Sequence, residues 1–379
     1  MHSEFVGWAK RSVPTSNHRR GHGLWPLPTL RAFASLRWVL IFSFAIIAGC
    51  TKPPAMYSQE SYVFGTRVEV LVYGAPEGQA RAGVNAVLRE FDRMHRAYHA
   101  WQPSELTRLN EAIARGEQNI PVSDELASML KESQGLAEKS DELFDPAVGK
   151  LVELWGFHND EFKPVLPDPV KLAQLVAEKP RMSDLSIGGS KVSSKNRAVA
   201  LDLGGYAKGY ALDKAAAILH GLGLNNALIN IGGNVMALGA KGKEPWRVGI
   251  QNPRAATPLA VLELKDGEAV GTSGDYQRYF ELNGKRYCHI LDPRTGQPSE
   301  GAEGVTVLIP PGPHAGMLSD ATSKPLFVAG ADQWLSYARR LGITAALRVD
   351  EKGVVYVTPP LHKRLSFTDK TVKVEEQGL

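Results

Sequence analysis

Residues 271–296 read GTSGDYQRYFELNGKRYCHILDPRTG, two runs of strand-forming residues joined by a turn signal. It opens on small residues and hydroxyls (Gly271, Thr272, Ser273, Gly274), which leave room for a ligand to approach the backbone. An alternating aromatic run over 276–281 follows, then Asn283-Gly284, then a second run over 285–291. Asn-Gly between alternating segments predicts a two-residue hairpin, because a type I′ turn needs positive φ at both central positions. The second strand ends at His289, with Asp292 and a Pro-Arg-Thr-Gly turn just beyond. Such a hairpin carries an imidazole, a carboxylate and a guanidinium to one rim, which is the composition of a site rather than a core. Cys288 neighbours His289, but adjacent strand residues point to opposite faces, so a buried, inert thiol is expected.

Outward from the hairpin, helices and strands interleave. The region 61–73 alternates like a strand, with Gly65 as a bulge or close-approach point. Val84, Val87, Leu88, Phe91 and Met94 make the apolar stripe of a helix over 79–98. Ser123 and Asp168-Pro169 start two further helices. A strand pattern over 192–203 runs into Asp202-Leu203-Gly204-Gly205-Tyr206-Ala207-Lys208-Gly209 and then a helix, an arrangement that offers unpaired N–H groups to an anion. Strands are expected at 227–231, 246–251, 259–264 and 305–309, helices at 315–329 and 331–341, and a closing hairpin over 345–357. The expectation is a single α/β catalytic domain, a mixed sheet with flanking helices, over residues 61–360, followed by a C-terminal tail, 361–379.

The formal net charge of +4 is misleading. Before Cys50 stand six basic residues (Lys10, Arg11, Arg19, Arg20, Arg31, Arg37) against Glu4 alone, so the rest of the chain is close to neutral. No nucleic-acid partner is expected from such a body. Residues 1–49 read as a signal peptide: Arg31 and Arg37 precede the apolar run 38–48, which is short for a membrane span. The charged segment before it is long, as an over-extended start would make it. Ile47-Ala48-Gly49-Cys50 resembles the bacterial lipobox, which implies lipidation of Cys50, a tether over 50–60, and a body lipid-anchored at the periplasmic face of a bacterial membrane. With Cys50 lipidated, Cys288 has no disulfide partner.

Five motifs in order resemble the ApbE-type flavin transferases (FAD:protein FMN transferase) over nearly the whole body: VFGT at 63–66, FDPAVGKLVELWGF at 144–157, LDLGGYAKGYALD at 201–213, NIGGNV at 230–235 and TSGDYQRYF…HILDPRTG within 272–296. SDATSKPLFVAG at 319–330 matches in part. The resemblance implies transfer of FMN from FAD to a Ser or Thr hydroxyl of an acceptor flavoprotein, typically a membrane redox-complex subunit with a short flavinylation motif, with Mg²⁺ as cofactor. It implies that Phe64 and Trp101 contact the flavin, that Leu143, Phe144 and Asp145 line the same cleft, and that Asp202 and Lys208 hold the dinucleotide. Thr272, Ser273, Gly274 and His289 would border the pyrophosphate, with Arg254 adding charge. His289 would act as general base, oriented by Asp292, since an imidazole titrating near neutrality suits that task.

Mg²⁺ would take Asp320 and the carbonyl of Gly205. Here the chain departs: where the family places a second ligand, a Thr, this sequence has Lys324, and an ammonium cannot ligate a metal. Lys324 is expected to supply charge to the pyrophosphate and to replace part of the metal's role. With water as nucleophile the same groups would instead split FAD into FMN and AMP. A membrane-tethered lipoprotein that only binds flavin is the non-enzymatic alternative.

Overall fold

The computed structural model describes residues 55–159 and 161–379; the signal, lipobox and Cys50 readings lie outside them. Its centre is a nine-stranded sheet in the order Met56–Val63, Thr66–Tyr73, Ala227–Ile231, Asn234–Leu238, Ala269–Gly274, Ala302–Ile309, Ala345–Asp350, Val355–Val357, Val374–Glu376. Every neighbouring pair is antiparallel except the last, which is parallel, so the sheet is mixed. One face packs on the helices Glu77–Tyr98, Ala207–Gly221 and Ala315–Val328. The other meets a three-stranded sheet made of Trp246–Gln251, Pro258–Leu264 and Leu365–Phe367. The α/β class with flanking helices is thus realised as three layers. Strand Ala302–Ile309, covered on both sides, is buried at every position, Glu303 and Thr306 included, and so shows no in-out alternation.

The helix expectations follow their physical signals. Val84, Val87, Phe91 and Met94 are fully buried, and the Ser123 and Asp168 side chains accept backbone N–H groups of Leu126 and Val170 at 3.2 and 2.8 Å. Four expectations are corrected. The region 61–73 is two strands, because Phe64 and Gly65 both take positive φ (57° and 67°) and close a two-residue turn. Only Lys191–Ser194 of the 192–203 run is strand; beyond it Ala200 makes a single bridge to Val148. Strand Met56–Val63 begins inside the region read as tether. Residues 361–379, read as a tail, add one strand to the nine-stranded sheet and one to the three-stranded sheet packed on it.

The predicted hairpin forms, with Asn283 and Gly284 at φ 51° and 76°, but as a separate two-stranded unit (Tyr279–Leu282, Lys285–Cys288). Aromatic stacking holds it: Tyr287 lies over Phe280 and Trp155 with centroids 5.1 and 5.8 Å away. Trp155 in turn donates its indole N–H to the Gly296 carbonyl at 2.7 Å. The stack pins the end of the hairpin, and hence His289, over the cleft.

Candidate active site

Two helices build the floor of the cleft. Ala207–Gly221 and Ala315–Val328 cross so closely that a Cβ on Gly209 would sit 2.3 Å from the Gly316 carbonyl oxygen, and one on Gly316 2.5 Å from that of Gly209. Only glycine permits this approach. Each helix then lends the other a carboxylate. Asp320 accepts the Gly209 N–H at 3.0 Å, and Asp213 accepts the N–H groups of Gly316 and Met317, both at 2.8 Å. The crossing fixes Asp320, which is fully buried, at the wall of a cavity of about 310 Å³.

Two lysines converge on that carboxylate. Lys324, one turn on, donates its ammonium to the Asp320 backbone carbonyl at 2.7 Å and to its carboxylate. Lys208 Nζ stands 3.9 Å from the same carboxylate oxygen and donates to the Gly204 carbonyl at 2.9 Å. Burial alone would raise the Asp320 pKa; Lys208 and Lys324 outweigh it and bring it down to about 2. Burial lowers the Lys324 pKa to about 8, against the pull of Asp320. Asp202 accepts the Gly204 N–H at 2.8 Å and rounds off the glycine turn at the start of the helix; burial raises its pKa, with Arg278 and Lys208 opposing.

The expected Mg²⁺ set does not fit these residues. A Cβ on Gly205 would lie 3.3 Å from Lys324 Cε, so the lysine stem runs along Gly205 on its way to Asp320. The Lys324 ammonium thus occupies the Asp320 carboxylate, one of the two expected metal ligands. The neighbouring hydroxyls are also engaged: Thr322 donates to the Leu318 carbonyl, and Ser323 to that of Asp320 while pairing with Ser273. Among the described residues no group of three His, Cys, Asp or Glu could hold a metal ion.

His289 lines the same cavity. Its Nδ1 lies 3.1 Å from the Arg278 carbonyl oxygen. A carbonyl can only accept, so Nδ1 carries the hydrogen and Nε2 keeps a free lone pair. Burial first, then Arg278 and Lys208, lower the pKa of His289 to about 3, well below the neutral range expected for a base. Asp292 does not orient it. That carboxylate is bound by the Arg294 backbone N–H and guanidinium, at 2.9 and 2.7 Å, so the predicted triad separates into an Asp292–Arg294 pair and a His289–Arg278 pair. Arg254 is likewise engaged elsewhere, by Asp275 at 2.6 Å and Glu303 at 3.0 Å. Cys288 is buried, with its thiol pushed up to about 12 by desolvation, as an inert role requires.

Phe64, Trp101, Leu143, Phe144 and Asp145 line this cavity together. The I′ turn holds the Phe64 ring against Phe91 and edge-on to His95, at 5.8 and 5.9 Å. Trp101 meets His158 at 5.6 Å. Asp145 turns its carboxylate to the backbone N–H groups of Ala147 and Met182, at 2.8 and 3.1 Å, and so braces the wall; burial pushes its pKa up to about 7. Thr272, Ser273 and Gly274 complete the rim, the first bonded to Thr306 across the sheet at 2.9 Å. Two further polar residues line the cavity. Arg278, inside the quoted stretch, orients His289 and donates to the Phe157 carbonyl at 2.8 Å. Asn234 follows the third two-residue turn, Gly232-Gly233; its side chain is buried and its Nδ2 has no partner, leaving a donor for a ligand.

Fold and site together define an α/β enzyme with a deep cleft lined by aromatics and cations. A profile of the ApbE family matches residues 64–347. An FAD:protein FMN transferase of Rhodobacter capsulatus is 44% identical over 319 residues, covering 84% of this chain; the chain spans 60% of that relative's length. One of Klebsiella pneumoniae is 30% identical over 330 residues, 83% of this chain and 92% of its own. The crystal structure of the ApbE protein of Thermotoga maritima superposes with a TM-score of 0.74 at 31% identity, over 82% of this chain and 99% of that one. Flavin transferase ApbE of Vibrio cholerae gives 0.71 at 26%, over 82% and 100%. The chain belongs to the ApbE family.

Proposed function

We propose that this chain transfers the FMN moiety of FAD to a Ser or Thr hydroxyl of a partner protein. The hydroxyl oxygen attacks the FMN-side phosphorus of the pyrophosphate and the bond to the AMP phosphate breaks. AMP leaves, a phosphodiester forms, and the hydroxyl proton passes to Nε2 of His289. The observation that carries the reading is the His289–Arg278 contact, which leaves a bare imidazole nitrogen in a cleft whose cations, Lys208, Lys324 and Arg278, suit a pyrophosphate.

The low pKa of His289 has a role in this reading. Burial and three neighbouring cations depress it. A bound pyrophosphate brings negative charge that cancels those cations and raises the imidazole toward neutrality. Phe64 and Trp101 offer ring faces to the isoalloxazine. No step is assigned to Mg²⁺, because Lys324 already occupies the Asp320 carboxylate.

The proposed setting is the periplasmic face of a bacterial membrane, with lipid on Cys50 and an acceptor flavoprotein subunit of a membrane redox complex carrying the Ser/Thr flavinylation motif. This part rests on the apolar run before Cys50 and on the family resemblance. Mass spectrometry of a candidate acceptor incubated with the protein and FAD tests the whole reading. An FMN adduct on a Ser or Thr is expected, and His289→Ala should cut its rate by roughly 10²–10⁴-fold while FAD still binds. Equal rates for variant and wild type would remove His289 from the chemistry.

A further inference from the structure

We infer that the Lys324 ammonium, held on Asp320 with its stem beside Gly205, is a built-in replacement for a divalent cation, so that this site binds FAD's pyrophosphate without metal. The inference deepens the transfer reading and rests on it. Three observations converge. A Cβ on Gly205 would lie 3.3 Å from Lys324 Cε and 3.8 Å from its Cδ, so the lysine stem runs beside Gly205. Its ammonium makes two bonds to Asp320, to the backbone carbonyl and to the carboxylate, and the other carboxylate oxygen takes the Gly209 N–H. Thr322 and Ser323, the hydroxyls nearest to Asp320 in sequence, are bonded to helix carbonyls.

The chemistry is consistent with the placement. A metal at a phosphoryl-transfer site gathers charge from phosphate oxygens and is itself held by carboxylate. An ammonium pinned by a carboxylate on a helix supplies a fixed positive charge in the same place, without a hydration shell to shed. Lys208 and Arg278, on the same cavity, add two further cations. Asp320 then acts as a positioning residue: it holds Lys324 and Lys208 where the phosphates arrive.

The test uses the purified full chain and FAD, whose binding is read by quenching of flavin fluorescence, in EDTA and in MgCl₂. Wild type should bind FAD equally well, within about twofold, in both conditions, because an occupied site gains nothing from the ion. Lys324→Thr frees the position and adds a hydroxyl ligand. It should lose roughly tenfold or more in EDTA, the scale of one charge-assisted contact, and recover in MgCl₂. Lys324→Met should lose the same affinity and not recover. Mn²⁺ titration followed by electron paramagnetic resonance gives a readout independent of FAD, with binding expected in Lys324→Thr and absent in wild type. Wild type that needs Mg²⁺ for FAD, or binds Mn²⁺ as Lys324→Thr does, overturns the inference while leaving the transfer reading intact. FAD bound in no condition would instead overturn the transfer reading.

Discussion

Asp213 and Asp320 occupy reciprocal positions on one helix pair, and comparing them shows how environment separates structure from chemistry. Each projects from its own helix to accept backbone N–H groups of the other, across the Gly209–Gly316 contact. Local geometry alone would give them one role. Asp320 is fully buried beside two lysines, which hold it ionised down to about pH 2. Asp213 has no lysine; burial raises it to about 6, helped by Glu132 and opposed by the two backbone N–H groups and His314. The first carboxylate organises cations at the cleft, whereas the second caps a helix whose own N-cap residue, His314, makes no side-chain cap.

The contrast can be broken most decisively by Asp320→Asn. Releasing Lys208 and Lys324 from their anchor should lower FMN transfer by at least roughly 10²-fold, measured as adduct formation at saturating FAD, while circular dichroism stays native. Asp213→Asn should leave transfer within about twofold; a comparable loss there would show that both ends of the crossing serve the site. Next in size, Gly209→Ala places a methyl 2.3 Å from the Gly316 carbonyl and 2.6 Å from Asp320 Cβ. It should destabilise the protein by about 1–3 kcal/mol in urea titration and slow transfer as well, since the helices and Asp320 must both shift. Asp213→Asn should cost about 1 kcal/mol, the usual value of a cap.

The smallest effect is a difference in sign. The Asp213 pKa is raised, so between about pH 4 and 6 the folded state holds a proton that the unfolded chain has lost, and stability falls as pH rises through that window. The Asp320 pKa is depressed, so its contribution is complete above the ordinary carboxylate range and is lost as pH falls toward 2. Urea midpoints measured from pH 4 to 7 should therefore fall less steeply with rising pH in Asp213→Asn than in wild type. An unchanged slope would mean that Asp213 titrates normally.

What the sequence revealed follows the range of the interactions involved. Helix stripes, caps and the Asn283-Gly284 turn depend on residues a few positions apart, and they were legible. The cleft residues carried by motifs, from Phe64 to Lys324, do come together. Partner choice was not legible. Asp292 stands close to His289 in sequence, yet Arg294 is nearer still and holds its carboxylate, while Arg278 reaches the imidazole across the hairpin. Arg254 could be placed near a phosphate only by ignoring Asp275 and Glu303, which the fold brings to it. The edge strands at 56–60 and 374–376 were missed because short polar segments alternate weakly; the sheet, not propensity, makes them strands.

Among the described residues, three two-residue hairpin turns place both central residues at positive φ: Gly232-Gly233, Asn283-Gly284 and Phe64-Gly65. Two use residues that tolerate the conformation, and the third sets a bulky aromatic there, at a cost on the order of 1 kcal/mol. A redesign guided by thermal stability alone would choose Phe64→Asn early, copying the relaxed turn of the hairpin. That variant would relieve the backbone and strip an aromatic face from the cleft in one step. Position 64 is thus a place where a melting-temperature screen and a flavin-binding screen should rank the same library in opposite orders.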